Sequence, residues 1–175
     1  SRPVIRPTMD ELSHRLRAFV ERLVAEEPVS AVSVLVGSAD RVAGEAFAGR
    51  LRAGSPGKPD RHTLFDLASL TKPCMAALAL LLERQGLCSL EQTIGDMGSK
   101  AGTRLADKTL PDLLRHRAGF QAWAPLYQLC KRPEEVVNLL LDGRFLAAES
   151  DPYSDLDYIL WGLATEARVG RPLAD

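Results

Sequence analysis

Cysteine is scarce in this chain and follows no pattern. Cys74, Cys88 and Cys130 are widely spaced and odd in number, so reduced, half-buried thiols are expected rather than a disulfide framework. No C-x-x-C pair occurs, and His14, His62 and His116 do not fall at metal-ligand spacing, so no structural metal and no cofactor are expected. Excess charge of one sign is also lacking. Twenty-two basic residues face 23 acidic ones, a net charge of -1, which argues against a nucleic-acid partner and against a disordered acidic tail. The longest apolar run, Pro73 to Leu82, is too short to span a bilayer. It lies mid-chain and so is no signal peptide. The chain opens on Ser1-Arg2 without a methionine, so a removed leader or tag is expected, and the compartment stays open between cytoplasm and periplasm.

What is present is enough for one compact domain: 175 residues of ordinary composition can bury a real core. Thr8-Met9-Asp10-Glu11 has the form of a helix-capping box. Leu12, Leu16, Phe19, Val20, Leu23 and Val24 then recur at helical spacing, predicting a helix from Met9 to Glu26. Beyond Pro28 the period changes to two. Val32, Val34 and Val36 alternate with Ala31, Ser33 and Leu35, predicting a β-branched strand. Gly37 to Asp40 supplies turn residues and Arg41 to Ala48 returns as a second strand, so a hairpin is expected. Residues 49 to 60 are rich in Gly, Pro and charge and read as a loop. From Leu67 onward the pattern is helical. Helices are predicted from near Ser69 to Gln85, after Thr109, from Pro133 to near Gly143, and from Asp155 to Val169. Two strands do not make an independently stable sheet, and their outer edges would remain open to pairing.

A serine followed three residues later by a lysine occurs twice, at Ser55-Pro56-Gly57-Lys58 and Ser69-Leu70-Thr71-Lys72. About one such match arises by chance in a chain of this size, so context decides. Ser55 lies in the Gly/Pro loop, where nothing fixes its rotamer. Ser69 lies at the entry to the most apolar helix, where residues i and i+3 share a face. The positive helix terminus and an apolar flank would both disfavour an ammonium, leaving Lys72 neutral enough to take a serine proton. The Ser69 N–H can serve as an oxyanion donor. Pro73 bars regular helix from starting much before Ser69, yet it also pushes Lys72 away from helical angles. The alternative is that Ser69 merely caps a buried helix while Lys72 extends to water.

The stretch Leu64-Phe65-Asp66-Leu67-Ala68-Ser69-Leu70-Thr71-Lys72-Pro73 closely resembles the nucleophile segment of the serine β-lactamase-like superfamily. It is most similar to the branch of class C β-lactamases, their esterase relatives and D-alanyl-D-alanine peptidases. The resemblance continues in order through Gln85-Gly86-Leu87, through Leu113-Leu114-Arg115-His116-Arg117-Ala118-Gly119-Phe120, and through Tyr153-Ser154-Asp155 ahead of Tyr158-x-x-x-Gly162. Four ordered matches are far more specific than the tetrapeptide alone.

That resemblance implies a β-lactamase/transpeptidase-like α/β fold of the α+β type. Residues 1–60 would give a helix and hairpin of an antiparallel sheet, and residues 61–175 a mostly helical subdomain carrying the S-x-x-K and Y-x-D elements. It implies an acyl-enzyme hydrolase acting on a small ester, amide or β-lactam. Ser69 resembles the nucleophile, Lys72 the proton acceptor, and Tyr153 the tyrosine that shuttles a proton. Beside an ammonium, Tyr153 should titrate as one coupled pair with Lys72. His116 resembles a structural histidine of the family. Trp123 follows the Gly119 turn closely enough to border a substrate cleft, whereas Trp123, Tyr127 and Trp161 are otherwise core or cleft wall.

Two departures stand out. Asp155 replaces the usual asparagine, and an ionised carboxylate only accepts hydrogen bonds. It can accept from Lys72, which would weaken that lysine as a base, or it can cap the final helix. The segment Gly170 to Asp175 resembles a mid-protein stretch of the family. The remaining sheet strands, with a K-T-G or H-x-G element and a second oxyanion donor, are therefore expected in a missing C-terminal half or a partner chain. Losing one such donor costs about a hundredfold or more in rate, so the chain alone is expected to be weakly active or inactive. A penicillin sensor without turnover, or an assembly piece, are the rival expectations.

Overall fold

A computed structural model describes residues 8–97, 103–147 and 153–174. Ser1 and Asp175, on which the expectations of a removed leader and a missing continuation fall, lie outside the described residues. Two compact units divide the chain, Ser1–Asp66 and Leu67–Asp175.

In the first unit, helix α1 (Met9–Glu26) precedes an antiparallel pair, β1 (Ala31–Gly37) and β2 (Val42–Gly49). Thr8 caps α1, its hydroxyl accepting the Glu11 N–H at 3.2 Å. The strands pair in a register that sets Val32 opposite Ala48 and Val34 opposite Ala46, with an irregularity at Val36/Gly37 just before the turn. Helix α1 lies on β2 so closely that a Cβ on Gly44 would sit 3.0 Å from Leu16 Cδ1. A larger residue there would require the Leu16 side chain to give by a few tenths of an ångström. Val20 is fully buried and anchors the helix. Among the described residues the sheet has these two strands.

The second unit is helical. A single 3₁₀ turn at Ala68–Leu70 leads into α2 (Thr71–Arg84). A second 3₁₀ turn at Gly95–Met97 is followed by α3 (Thr103–Ala106), α4 (Leu110–Leu114), α5 (Leu126–Leu129), α6 (Pro133–Leu141) and α7 (Asp155–Val169). Pro73 sits in the first turn of α2, where no backbone donor is required of it. At the other end Gly86 takes a left-handed φ of 71°, and the Leu87 and Gly86 N–H groups bond back to Leu82 and Glu83. That is a Schellman closure, which favours glycine. The expected start of α4 is found: the Asp112 carboxylate accepts both the Thr109 N–H (2.8 Å) and its hydroxyl (2.9 Å). The four-residue helices α3 and α5 were not expected, because elements of one turn carry no readable period.

The core of this unit is built around α7. Leu156, Leu160 and Trp161 pack with Leu113, Phe120 and Leu140. Trp161 is therefore core, as one of its two expected roles required. Phe120 is fully buried, so Phe120→Ala is expected to cost about 3–5 kcal/mol through lost contacts and a residual cavity. A urea unfolding curve measures it, and a loss under 1 kcal/mol would contradict the assigned core.

Candidate active site

Three segments of the second unit converge on one lysine. The first is the turn into α2. Ala68 adopts φ 43°, a left-handed conformation that costs a non-glycine residue about 1–2 kcal/mol. Ala68 opens the 3₁₀ turn that carries Ser69 into α2. Lys72 Nζ donates to Ser69 Oγ at 3.1 Å. The i, i+3 contact expected from spacing is formed, despite the proline after Lys72.

The second segment is the tripeptide that opens α7. Ser154, not Asp155, is the helix cap: its hydroxyl accepts the Leu156 N–H at 3.1 Å and donates to the Gln121 carbonyl at 2.7 Å. The alternative of Asp155 as cap is thereby corrected, because Ser154 already fills that place. Ser154 is extended (φ -130°, ψ 132°), so its neighbours project to the opposite side from its own buried side chain. Asp155 Oδ1 accepts from Lys72 Nζ at 2.7 Å. The Tyr153 ring centroid lies 4.6 Å from Lys72 Nζ.

The third segment is the C-terminus of α4. His116 Nδ1 accepts the Ser154 N–H at 3.1 Å. Its ring lies 4.3 Å from that of Tyr153 and 5.3 Å from that of Tyr158. Asp157, almost fully buried, places Oδ2 3.4 Å from the same Nδ1. Tyr158 donates to the Leu114 carbonyl at 2.8 Å and its ring stands 5.6 Å from Lys72 Nζ.

The electrostatics differ from the expectation for Lys72. Burial alone would push its pKa down, but hydrogen bonds to the Asp155 carboxylate and the Tyr153 phenol outweigh it and hold the ammonium above the ordinary lysine range. A neutral Lys72 is thus disfavoured. The same contacts act on the other partner: hydrogen bonds from Lys72 and Ser69 hold the Tyr153 phenol below its ordinary value. For His116, burial and the nearby Lys72 charge lower the pKa, so the neutral imidazole is favoured. Lys72 is 13 % exposed, but Ser69 is exposed and Tyr153 is 54 % exposed.

Trp123 is placed in the wall of a groove of about 580 Å³. Its ring lies 6.4 Å from Tyr127, and Met75, Tyr158 and Ile159 are among the groove's other walls. Met75 stands one turn beyond Lys72 on α2, and Tyr158 belongs to both groove and cluster. Trp123 is therefore linked to the cluster through shared neighbours, not through a contact of its own. The competing serine, Ser55, accepts the Gly57 N–H at 3.1 Å, closing its own loop.

Asp157 and Tyr158 were missed by the sequence reading. Asp157 sits among several acids and reads as a solvated position, and nothing in the spacing marks its burial. Tyr158 was noted only as part of a helix pattern. Its place beside Lys72 follows from Asp155 one helical turn earlier.

Among the described residues, no group of three His, Cys, Asp or Glu side chains converges as a metal site, and no helix is long and apolar enough to cross a membrane. The three cysteines are unpaired with one another.

An α/β chain that sets a serine, a lysine and a tyrosine together at the mouth of a helix has the ingredients for activating a hydroxyl group. The Beta-lactamase family model matches residues 16–175, and the chain belongs to that family. No curated protein and no solved structure matches it.

Proposed function

We propose that this chain carries the acyl-transfer machinery of a serine hydrolase, with Ser69 as nucleophile. One observation carries the reading: a single ammonium, Lys72, donates to the Ser69 hydroxyl at 3.1 Å while standing 4.6 Å from the centroid of the Tyr153 ring. Ser69 Oγ attacks the carbonyl carbon of an ester, amide or β-lactam as its proton passes to Tyr153. The tetrahedral intermediate collapses, and the same proton leaves with the alcohol or amine. Water then releases the acyl group by the reverse route.

Lys72 alone, read from the S-x-x-K spacing, is the natural proton acceptor. The 2.7 Å contact with Asp155 changes that assignment. A lysine held as its ammonium stabilises the Tyr153 phenolate electrostatically, so the phenolate is the proton acceptor and Lys72 its counter-ion. The Ser69 N–H is the oxyanion donor available from this segment. The groove walled by Trp123 and Tyr127 suits an apolar or aromatic acyl group.

A second reading, a penicillin sensor that acylates without turning over, is favoured by the same Lys72–Asp155 pair. The Asp155 carboxylate opposes ionisation of Tyr153, which weakens the base that must activate the deacylating water.

Incubation with a fluorophosphonate and with a fluorescent penicillin tests both readings. A hydrolase is expected to show one covalent adduct, mapped by peptide mass to Ser69, together with steady release of nitrophenol from a short-chain nitrophenyl ester. A sensor gives the penicillin adduct with a single burst and no turnover. Absence of any adduct on Ser69 would refute both.

A further inference from the structure

We infer that His116 is a positioning residue, which holds Tyr153 and Asp155 on Lys72 by accepting the Ser154 N–H on its Nδ1. The kinetic part of this inference rests on the hydrolase reading; the geometric part does not.

The backbone shows why a side chain at this place is informative. Helix α4 ends in the same closure as α2, with the Arg117 N–H bonded to the Asp112 carbonyl (2.7 Å) and the His116 N–H to the Leu113 carbonyl (3.1 Å). At the end of α2 the left-handed position is taken by Gly86, but here by His116 at φ 58°. Glycine would close the α4 turn with less strain. The imidazole is therefore not needed for the turn, and its contacts lie elsewhere.

Those contacts centre on the tripeptide of the site. Ser154 is held at three points: its N–H on His116 Nδ1, its hydroxyl on the Gln121 carbonyl, and the Leu156 N–H on its own oxygen. Two of these belong to the hydroxyl and fix the helix start. The third fixes the peptide plane between Tyr153 and Ser154, and so the direction in which the phenol leaves the chain. The imidazole also wedges between the rings of Tyr153 and Tyr158, tilted by 37° and 39°.

The arrangement needs one protonation state. Nδ1 can accept the Ser154 N–H only when it carries no proton, which places the ring proton on Nε2. A proton on Nδ1 would abolish that acceptor and turn the ring's new donor to Asp157 Oδ2, 3.4 Å away. The charged groups about the ring act in both directions. The Lys72 ammonium opposes protonation and Asp155 favours it, while Asp157 at that distance favours it too. Tyr153 and Tyr158 add phenols, and Arg115 and Arg117 flank the residue in sequence. Acid is expected to release the tripeptide before it unfolds the unit.

Two variants separate the ring from the turn. His116→Gly keeps the left-handed backbone and removes the acceptor. His116→Asn also tolerates that backbone and offers an amide oxygen that does not titrate. Three quantities are measured: hydrogen exchange of the Ser154 amide, the ultraviolet titration of Tyr153 (isolated by difference against Tyr153→Phe), and kcat and KM on a nitrophenyl ester.

In His116→Gly, Ser154 exchange is expected to quicken about tenfold or more, as loss of one buried hydrogen bond implies. The Tyr153 midpoint should rise towards ordinary tyrosine, and kcat should fall about tenfold with KM nearly unchanged. His116→Asn should recover part of kcat and lose the acidic step due to the imidazole. The inference is overturned if His116→Gly leaves exchange and the Tyr153 titration as in the parent, or lowers only the melting temperature. If the parent neither hydrolyses ester nor labels, the hydrolase reading fails, and exchange and titration still decide the role of His116.

Discussion

Ser69→Ala is expected to lower kcat for nitrophenyl ester hydrolysis by about 10⁴-fold or more, because groups that act as one unit with a nucleophile contribute almost nothing without it. The covalent adduct should vanish as well. Fold and stability should change little, since Ser69 is exposed and surface substitutions usually cost within about 0.5 kcal/mol. Ser55→Ala is the matched control, removing the serine of the other S-x-x-K match. Its hydroxyl only closes a loop onto Gly57, so rate and labelling should equal those of the parent. Equal activity in both variants would place the nucleophile elsewhere and end the hydrolase reading.

Tyr153→Phe is expected to lower kcat by about 10²–10⁴-fold, the range supplied by a positioned proton acceptor. The pH profile carries a second, independent signature. Activity requires Tyr153 ionised and Lys72 protonated. Contacts with Lys72 and Ser69 hold the phenol below its ordinary value, so the rate should rise with pH earlier than for an unperturbed tyrosine. Lys72 is held above its ordinary value once the Asp155 and Tyr153 contacts outweigh burial, so the rate should fall only in more alkaline solution. These two steps belong to the coupled pair and not to either residue alone.

Asp155→Asn removes a charge that supports the ammonium and opposes the phenolate, so both limbs should move to lower pH. The stability linkage has the same sign. A raised lysine pKa stabilises the fold fully below the unfolded-state lysine pKa, and that contribution is lost as pH rises through the folded value. Unmoved limbs in Asp155→Asn would show that the 2.7 Å contact does not exist in solution.

Much of this arrangement was legible in the order of residues. The change of period at Ala31 announced the hairpin, and the Thr109/Asp112 pair announced α4. The Ser69/Lys72 contact followed from helical spacing. What spacing could not supply was anything linking distant segments. His116 and Ser154 are 38 residues apart, and no pattern within either segment reports their hydrogen bond. The two fates open to Asp155 were chemically equal until Ser154 was seen to occupy the cap. The charge on Lys72 was open for the same reason: the carboxylate that supports its ammonium lies 83 residues away.

The single extended residue between Tyr153 and Asp155 has a consequence for how this segment can vary. Because consecutive side chains there point to alternate sides, the identity of each residue can change while its destination does not. Its length cannot. Inserting or deleting one residue would exchange inside for outside, sending the serine to solvent and driving a phenol or a carboxylate into the apolar interior around Leu156. A chain of this kind should therefore accept many point changes around its tyrosine, and lose everything to a shift of one.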